Sequence, residues 1–112
     1  MKDSLKVCFV CTGNTCRSVM AEHIFKKMLK EHKIDDIKVF SKGFNALGDN
    51  IAENAKIVLK EKGIRARDRK SVKLKKIEKN TLYVVMNNDA KEKINGKVIS
   101  MTDLMEKDVL DP

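Results

Sequence analysis

Residues 7–22 read VCFVCTGNTCRSVMAE: an apolar strand, residues 6–11, runs into Cys-Thr-Gly-Asn-Thr-Cys-Arg-Ser, and a helix follows. Strand, tight loop and helix in that order make the repeating unit of parallel α/β sheets, whose ligands bind beyond the carboxyl ends of the strands. Cys11 stands at such an end, with Arg17 six places on. This is the layout of a thiolate nucleophile inside a phosphate cradle.

Each residue of the turn has a physical reason to be there. Only the thiolate form of cysteine attacks, and a helix N-terminus or a nearby cation favours it; Cys11 is expected to have both. The unpaired N–H groups of the first helical turn suit a phosphate dianion equally well. Gly13 is expected to let the backbone turn tightly and bring successive N–H groups onto one anion. Arg17 adds a planar fork matched to two phosphate oxygens and to the charge that builds in phosphoryl transfer. Ser18 reads as a hydroxyl able to donate to the Cys11 sulfur, and Asn14 as an amide holding the loop in shape. Thr12, Gly13, Asn14, Thr15, Cys16, Arg17 and Ser18 thus form the expected binding loop for inorganic phosphate or a similar oxyanion. Such a site calls for no metal and no cofactor. The plain alternative is a buried cysteine beside a helix-capping turn.

Working outward, residues 19–33 carry an amphipathic helical pattern with Met20, Ala21, Ile24, Phe25 and Met28 on one face. Residues 37–41 read as a second strand, and residues 42–48 as a loop. Asp49 or Asn50 is placed to cap a helix with the stripe Ile51, Ala55, Val58 and Leu59, stopped by Gly63. Residues 64–74 read as a basic connection leading to one helical turn near residues 74–78. TLYVVM, residues 81–86, is a continuous apolar strand of the kind covered on both faces. A short helix over 87–94 and a last strand over 97–101 complete the alternation. The fold class is α/β: a three-layer sandwich with a short parallel four-stranded sheet and helices on both faces.

At 112 residues the chain is read as a single domain with one modest core. Its formal charge of +8 is uneven: residues 56–79 hold eleven Lys/Arg against three Asp/Glu, and the remainder balances. Without interleaved aromatics this segment reads first as a solvated face, next as a steering surface for phosphorylated proteins, and last as a nucleic-acid site. Nucleic acid is therefore not an expected partner. The start of the sequence has too short an apolar run for a secretory signal, and no run approaches membrane-spanning length. A cytoplasmic location without membrane contact is expected, and three cysteines do not make a disulfide framework. Cys8 and Cys11 have C-x-x-C spacing, but on a strand positions three apart face opposite ways, which argues against zinc or dithiol chemistry.

The string CTGNTCRS between a strand and a helix opening Ala21-Glu22 resembles the signature of the low-molecular-weight protein tyrosine phosphatase family, and it implies that family's flavodoxin-like fold. Ser41-Lys42-Gly43 looks like the family's S-x-G after the second strand, and Val84-Val85-Met86 like its strand ending in Met. Arg69 stands where the family commonly has His, and Val19 replaces a frequent Pro. The resemblance implies a phosphocysteine enzyme acting on phosphorylated proteins, with an Asp of an Asp-Pro pair as proton donor; Asp111-Pro112 matches that pair. Asp103 and Asp108 do not precede Pro. The sequence ends where family members generally continue through aromatic residues and a closing helix. The reading is therefore a single domain over residues 1–112, C-terminally short and lacking the usual C-terminal helix. Phe44 and Leu47 are the candidates for an apolar wall beside the substrate.

Thr15 is the discriminating loop position. Tyrosine-directed members usually carry a larger aliphatic residue there, and Thr resembles the bacterial protein-arginine phosphatases of the family. Both phosphotyrosine and phosphoarginine stay open, with a lean to the latter. Cys16 offers a second sulfur to trap an oxidised Cys11 as a disulfide. Two other functions compete: an arsenate reductase-like enzyme, for which Cys8 and Cys16 lie too near the nucleophile to relay electrons, and a phosphate or phosphoprotein binder with impaired turnover.

Overall fold

A computed structural model describes residues 5–86 and 88–101 of the chain. Four parallel strands, β1 (Leu5–Cys11), β2 (Ile37–Gly43), β3 (Thr81–Val85) and β4 (Val98–Ser100), form one sheet in the order β2-β1-β3-β4. The chain crosses from β1 to β2 on one side and then to β3 on the other, so a crevice opens at the carboxyl end of β1. Cys11 closes β1 beside Gly43, the last residue of β2.

The expected parallel α/β sheet is there, and strand alternation explains its core. Val7 and Phe9 point to one face, where they meet Val39, Val84 and Leu29. That face is covered by α1 (Arg17–Glu31), with Phe25 edge-on to Phe9 at a centroid distance of 5.8 Å. Cys8 and Val10 point the other way, against Tyr83, Val85 and Ile94. A 3-10 helix (Asn88–Lys93) and Leu74 of the basic connection cover this second face. Burial on both sides is why β1 is continuously apolar from Val7 on and β3 from Leu82 on. Helix α2 (Glu53–Glu61) packs on α1, where Ala55 and Ile51 meet Val19.

Several details depart from the sequence pattern. Helix α1 begins two residues early, and its buried positions are Ser18, Val19, Glu22 and Leu29, whereas Met28 is exposed. An apolar-periodicity count skips Glu22, because only its partners make a buried carboxylate tolerable. Val58 is likewise exposed and Leu59 buried. Ala52, not Asp49 or Asn50, precedes α2, since Asn50 bridges Lys70 instead. No helical turn forms at residues 74–78: Gly43 N–H donates to Val72 O at 2.8 Å and Leu74 N–H to Gly43 O at 2.9 Å, so the chain there extends the sheet.

Candidate functional site

The loop between β1 and α1 wraps the Cys11 sulfur. Asn14 N–H donates to Sγ at 3.2 Å, and the Ser18 hydroxyl lies 2.9 Å from it. The direction of the second bond follows from its surroundings. Asn14 Nδ2 donates to Ser18 Oγ at 3.0 Å, which leaves the hydroxyl proton free for the sulfur. Two donors aimed at one sulfur suit a thiolate.

Asn14 is the hinge of this arrangement. It is buried and holds φ at 55°, the left-handed region where Asn is among the few tolerated side chains. Its Nδ2 also donates to Ser41 Oγ at 2.9 Å, while its Oδ1 accepts the Val72 N–H at 2.9 Å. Because Val72 N–H can only donate, the amide orientation is determined. These bonds tie Asn14 to Ser18, Ser41 and Val72, whereas Gly13 shows no feature that requires a glycine. Gly13 is not in the left-handed region, and an added Cβ would meet nothing nearer than Thr15 Oγ1 at 3.6 Å. The glycine the loop requires is Gly43, where a Cβ would stand 2.7 Å from Thr12 O and 2.9 Å from Asn14 N. Both are backbone atoms, which cannot swing aside.

Behind Asn14 lies a charged support to which sequence reasoning assigns no role. Ser41 donates to Glu22 Oε1 at 2.6 Å. Arg69 grips both oxygens of Glu22, at 2.5 and 3.1 Å, and donates to Ser41 at 2.9 Å. Lys26 reaches Oε2 at 2.6 Å. Burial raises the cost of the Glu22 charge, but the hydrogen bonds from Arg69, Lys26 and Ser41 outweigh it and hold the carboxyl at about 2. A continuous chain therefore runs from Arg69 through Glu22, Ser41, Asn14 and Ser18 to Cys11. The signal for it was a Glu in the middle of an otherwise apolar helix face.

The other predicted residues fall in different places. Cys11, Thr12, Arg17 and Phe44 line one pocket of about 150 Å³, joined by Met86, Ala90 and Lys93. Arg17 is exposed in the first turn of α1, which holds no acidic side chain. Cys16 is half-buried at the N-cap of α1. Thr15 does not line the pocket; its carbonyl accepts the Ala52 N–H at 2.8 Å and so fastens the loop to α2. Leu47, 84% exposed, is not part of the pocket wall either, leaving Phe44 as the aromatic side. The cause is the backbone: Phe44 N–H is bonded to Cys11 O at 3.0 Å, while Leu47 is past the point where the chain leaves the loop. Cys8 is fully buried among core side chains, and burial pushes its thiol up to about 12. Asp111, with Asp103 and Asp108, lies outside the described residues.

The family model of the low molecular weight phosphotyrosine protein phosphatases matches residues 6–110. The chain belongs to this family. Among its relatives, a protein-arginine-phosphatase of Geobacillus stearothermophilus is 41% identical over 91 residues, which span 80% of this chain and 59% of that protein. The low molecular weight protein-tyrosine-phosphatase PtpA of Staphylococcus aureus (strain MRSA252) is 45% identical over 60 residues, spanning 52% of this chain and 39% of that one. In structure, a YwlE mutant from Bacillus subtilis superposes with a TM-score of 0.80 at 29% identity, covering 97% of this chain and 76% of the other. The chain thus spans less than two thirds of the length of the two sequence relatives, 59% and 39%.

Proposed function

We propose that the chain is a cysteine-dependent protein phosphatase that works through a phosphocysteine intermediate. The observation that carries this reading is the pair of donors, Asn14 N–H and the Ser18 hydroxyl, converging on Cys11 Sγ at the mouth of a pocket that also holds Arg17. Loop N–H groups and the Arg17 guanidinium bind the phosphoryl oxygens and stabilise the charge spread over them as the phosphoryl group moves. Cys11 sulfur attacks phosphorus, the bond to the leaving oxygen or nitrogen breaks, and Asp111 gives that atom a proton. Asp111 then takes a proton from water, whose oxygen attacks phosphorus, and Cys11 leaves as thiolate with inorganic phosphate released. Ser18, no longer facing a bonded sulfur, stabilises the returning thiolate.

Two features favour phosphoarginine over phosphotyrosine as substrate: a relative named as a protein-arginine-phosphatase at 41% identity, and Thr15, which stands outside the pocket wall and acts through the shape of the loop. The phosphorylated partner is a protein in either case. No helix among the described residues is long and apolar enough to cross a membrane. The reducing surroundings that keep a reactive thiol free favour a cytoplasmic location. Nothing observed favours arsenate reduction, since Cys8 is sealed in the core with its thiol pushed up to about 12.

Single-turnover assays with phosphoarginine and phosphotyrosine peptides on the wild-type chain, Cys11→Ala and Asp111→Asn test the proposal. Phosphate release by the wild-type chain, none by Cys11→Ala and slowed release by Asp111→Asn is the expected pattern. Equal rates for wild type and Cys11→Ala would defeat it, and capture of phosphate on Cys11 without release would instead support a binder. Replacing Thr15→Ile should shift preference toward phosphotyrosine.

A further inference from the structure

We propose that Lys93 reads a carboxylate next to the phosphorylated residue of the substrate protein; the inference rests on the phosphatase reading and adds a specificity-determining residue to it. Lys93 closes the 3-10 helix after β3 and shares the pocket of Cys11 and Arg17. Two contacts fix its place. The next residue, Ile94, is anchored in the core, and the Lys93 ammonium stands 5.0 Å from the Phe44 ring centroid.

Among the described residues the ammonium is positioned but has no carboxylate partner. Lys93 makes no salt bridge among the described residues, whereas Lys6, Lys26, Lys42, Lys56 and Arg69 all do. Arg17 and the loop N–H groups already answer the phosphoryl group. At about 150 Å³ the pocket is also well below the roughly 300–1,000 Å³ of sites that engulf a ligand. It takes the phosphoryl group and the atoms next to it, and the rest of the substrate crosses the rim. Lys93 is an exposed cation on that rim beside the one aromatic wall. The group that fits there is the side chain of a neighbouring Asp or Glu.

The test uses phosphopeptides of one sequence bearing either Glu or Gln beside the phosphorylated residue. For the wild-type chain, kcat/KM is expected to favour Glu about three- to fivefold at low salt, as a solvent-exposed charge pair allows, and the preference should fade as salt is added. The ratio should fall to about one in Lys93→Met and return in Lys93→Arg. A ratio near one in the wild-type chain would overturn the proposal. So would a preference that survives Lys93→Met but falls in Lys75→Met, which would assign the steering to the basic segment. Binding of the same peptides to Cys11→Ala separates the two readings. A Glu preference in Kd without any turnover by the wild-type chain would defeat the phosphatase reading and keep Lys93; no peptide binding at all would defeat Lys93 as well.

Discussion

Arg69 holds the buried Glu22 carboxylate by both oxygens, at 2.5 and 3.1 Å, at a point two hydrogen bonds behind Asn14. The pair therefore acts on the Cys11 loop without lining the pocket of Cys11 and Arg17. Breaking a buried pair from one side leaves a charge without its partner, so Arg69→Ala should destabilise the fold by roughly 3 kcal/mol in urea unfolding. Arg69→Lys should recover only part, because an ammonium cannot reproduce a two-pronged grip. Wild-type stability in Arg69→Ala would show that Lys26 and Ser41 suffice.

The same pair gives the protein an acid limit. Glu22 is held at about 2 against an ordinary 4.5, so its contribution is complete above about pH 4.5 and disappears as pH falls toward 2. The shift corresponds to about 3 kcal/mol. In Arg69→Ala the carboxyl moves upward, and the acid-unfolding midpoint should move up with it. Identical midpoints in the two proteins would place the acid sensitivity elsewhere.

Asn14 supplies both a backbone conformation and three hydrogen bonds, and two substitutions separate them. Asn14→Gly keeps φ at 55° accessible and loses the side-chain bonds; Asn14→Ala loses both. Asn14→Ala should be the less stable by about 1 kcal/mol. Both should lose activity, because Ser18 and the Asn14 N–H then lack a fixed direction toward Cys11. Full activity in Asn14→Gly would mean that the backbone alone positions the sulfur.

Gly43→Ala should lower kcat by about a hundredfold through a shift of the loop on the order of 1 Å, since its Cβ would press on Thr12 O and Asn14 N. Gly13→Ala, whose Cβ would make only an ordinary contact with Thr15 Oγ1 at 3.6 Å, should be tolerated far better. Comparable loss in both would contradict the assignment of the close approach to Gly43.

The fold was legible in the sequence because β1 from Val7 on and β3 are buried on both faces and the loop is contiguous: Cys11, Asn14, Arg17 and Ser18 lie within eight residues of chain. What was hidden depends on partners far apart. Glu22 looks misplaced in a helix face until Ser41 and Arg69 arrive from 19 and 47 residues away. Gly43 looks like an ordinary loop glycine until the Cys11 loop packs on it. Gly13 drew attention by its neighbours in sequence, while the left-handed backbone position of the loop falls on Asn14.

Oxidation should reach the two thiols of the Cys11 loop and spare the core thiol of Cys8. After mild peroxide, peptide mass spectrometry should find a Cys11–Cys16 disulfide and unmodified Cys8, which is fully buried with its thiol pushed up to about 12. Sulfonic acid on Cys11 with Cys16 untouched would rule out the protective link.

The most direct measurement is mass spectrometry of the protein acid-quenched during turnover of a phosphoarginine peptide. Phosphate carried on Cys11 in the wild-type chain, accumulating to a higher level in Asp111→Asn and absent from Cys11→Ala together with turnover, is the predicted result. Turnover that persists in Cys11→Ala, with no phosphate on that loop, would contradict the account.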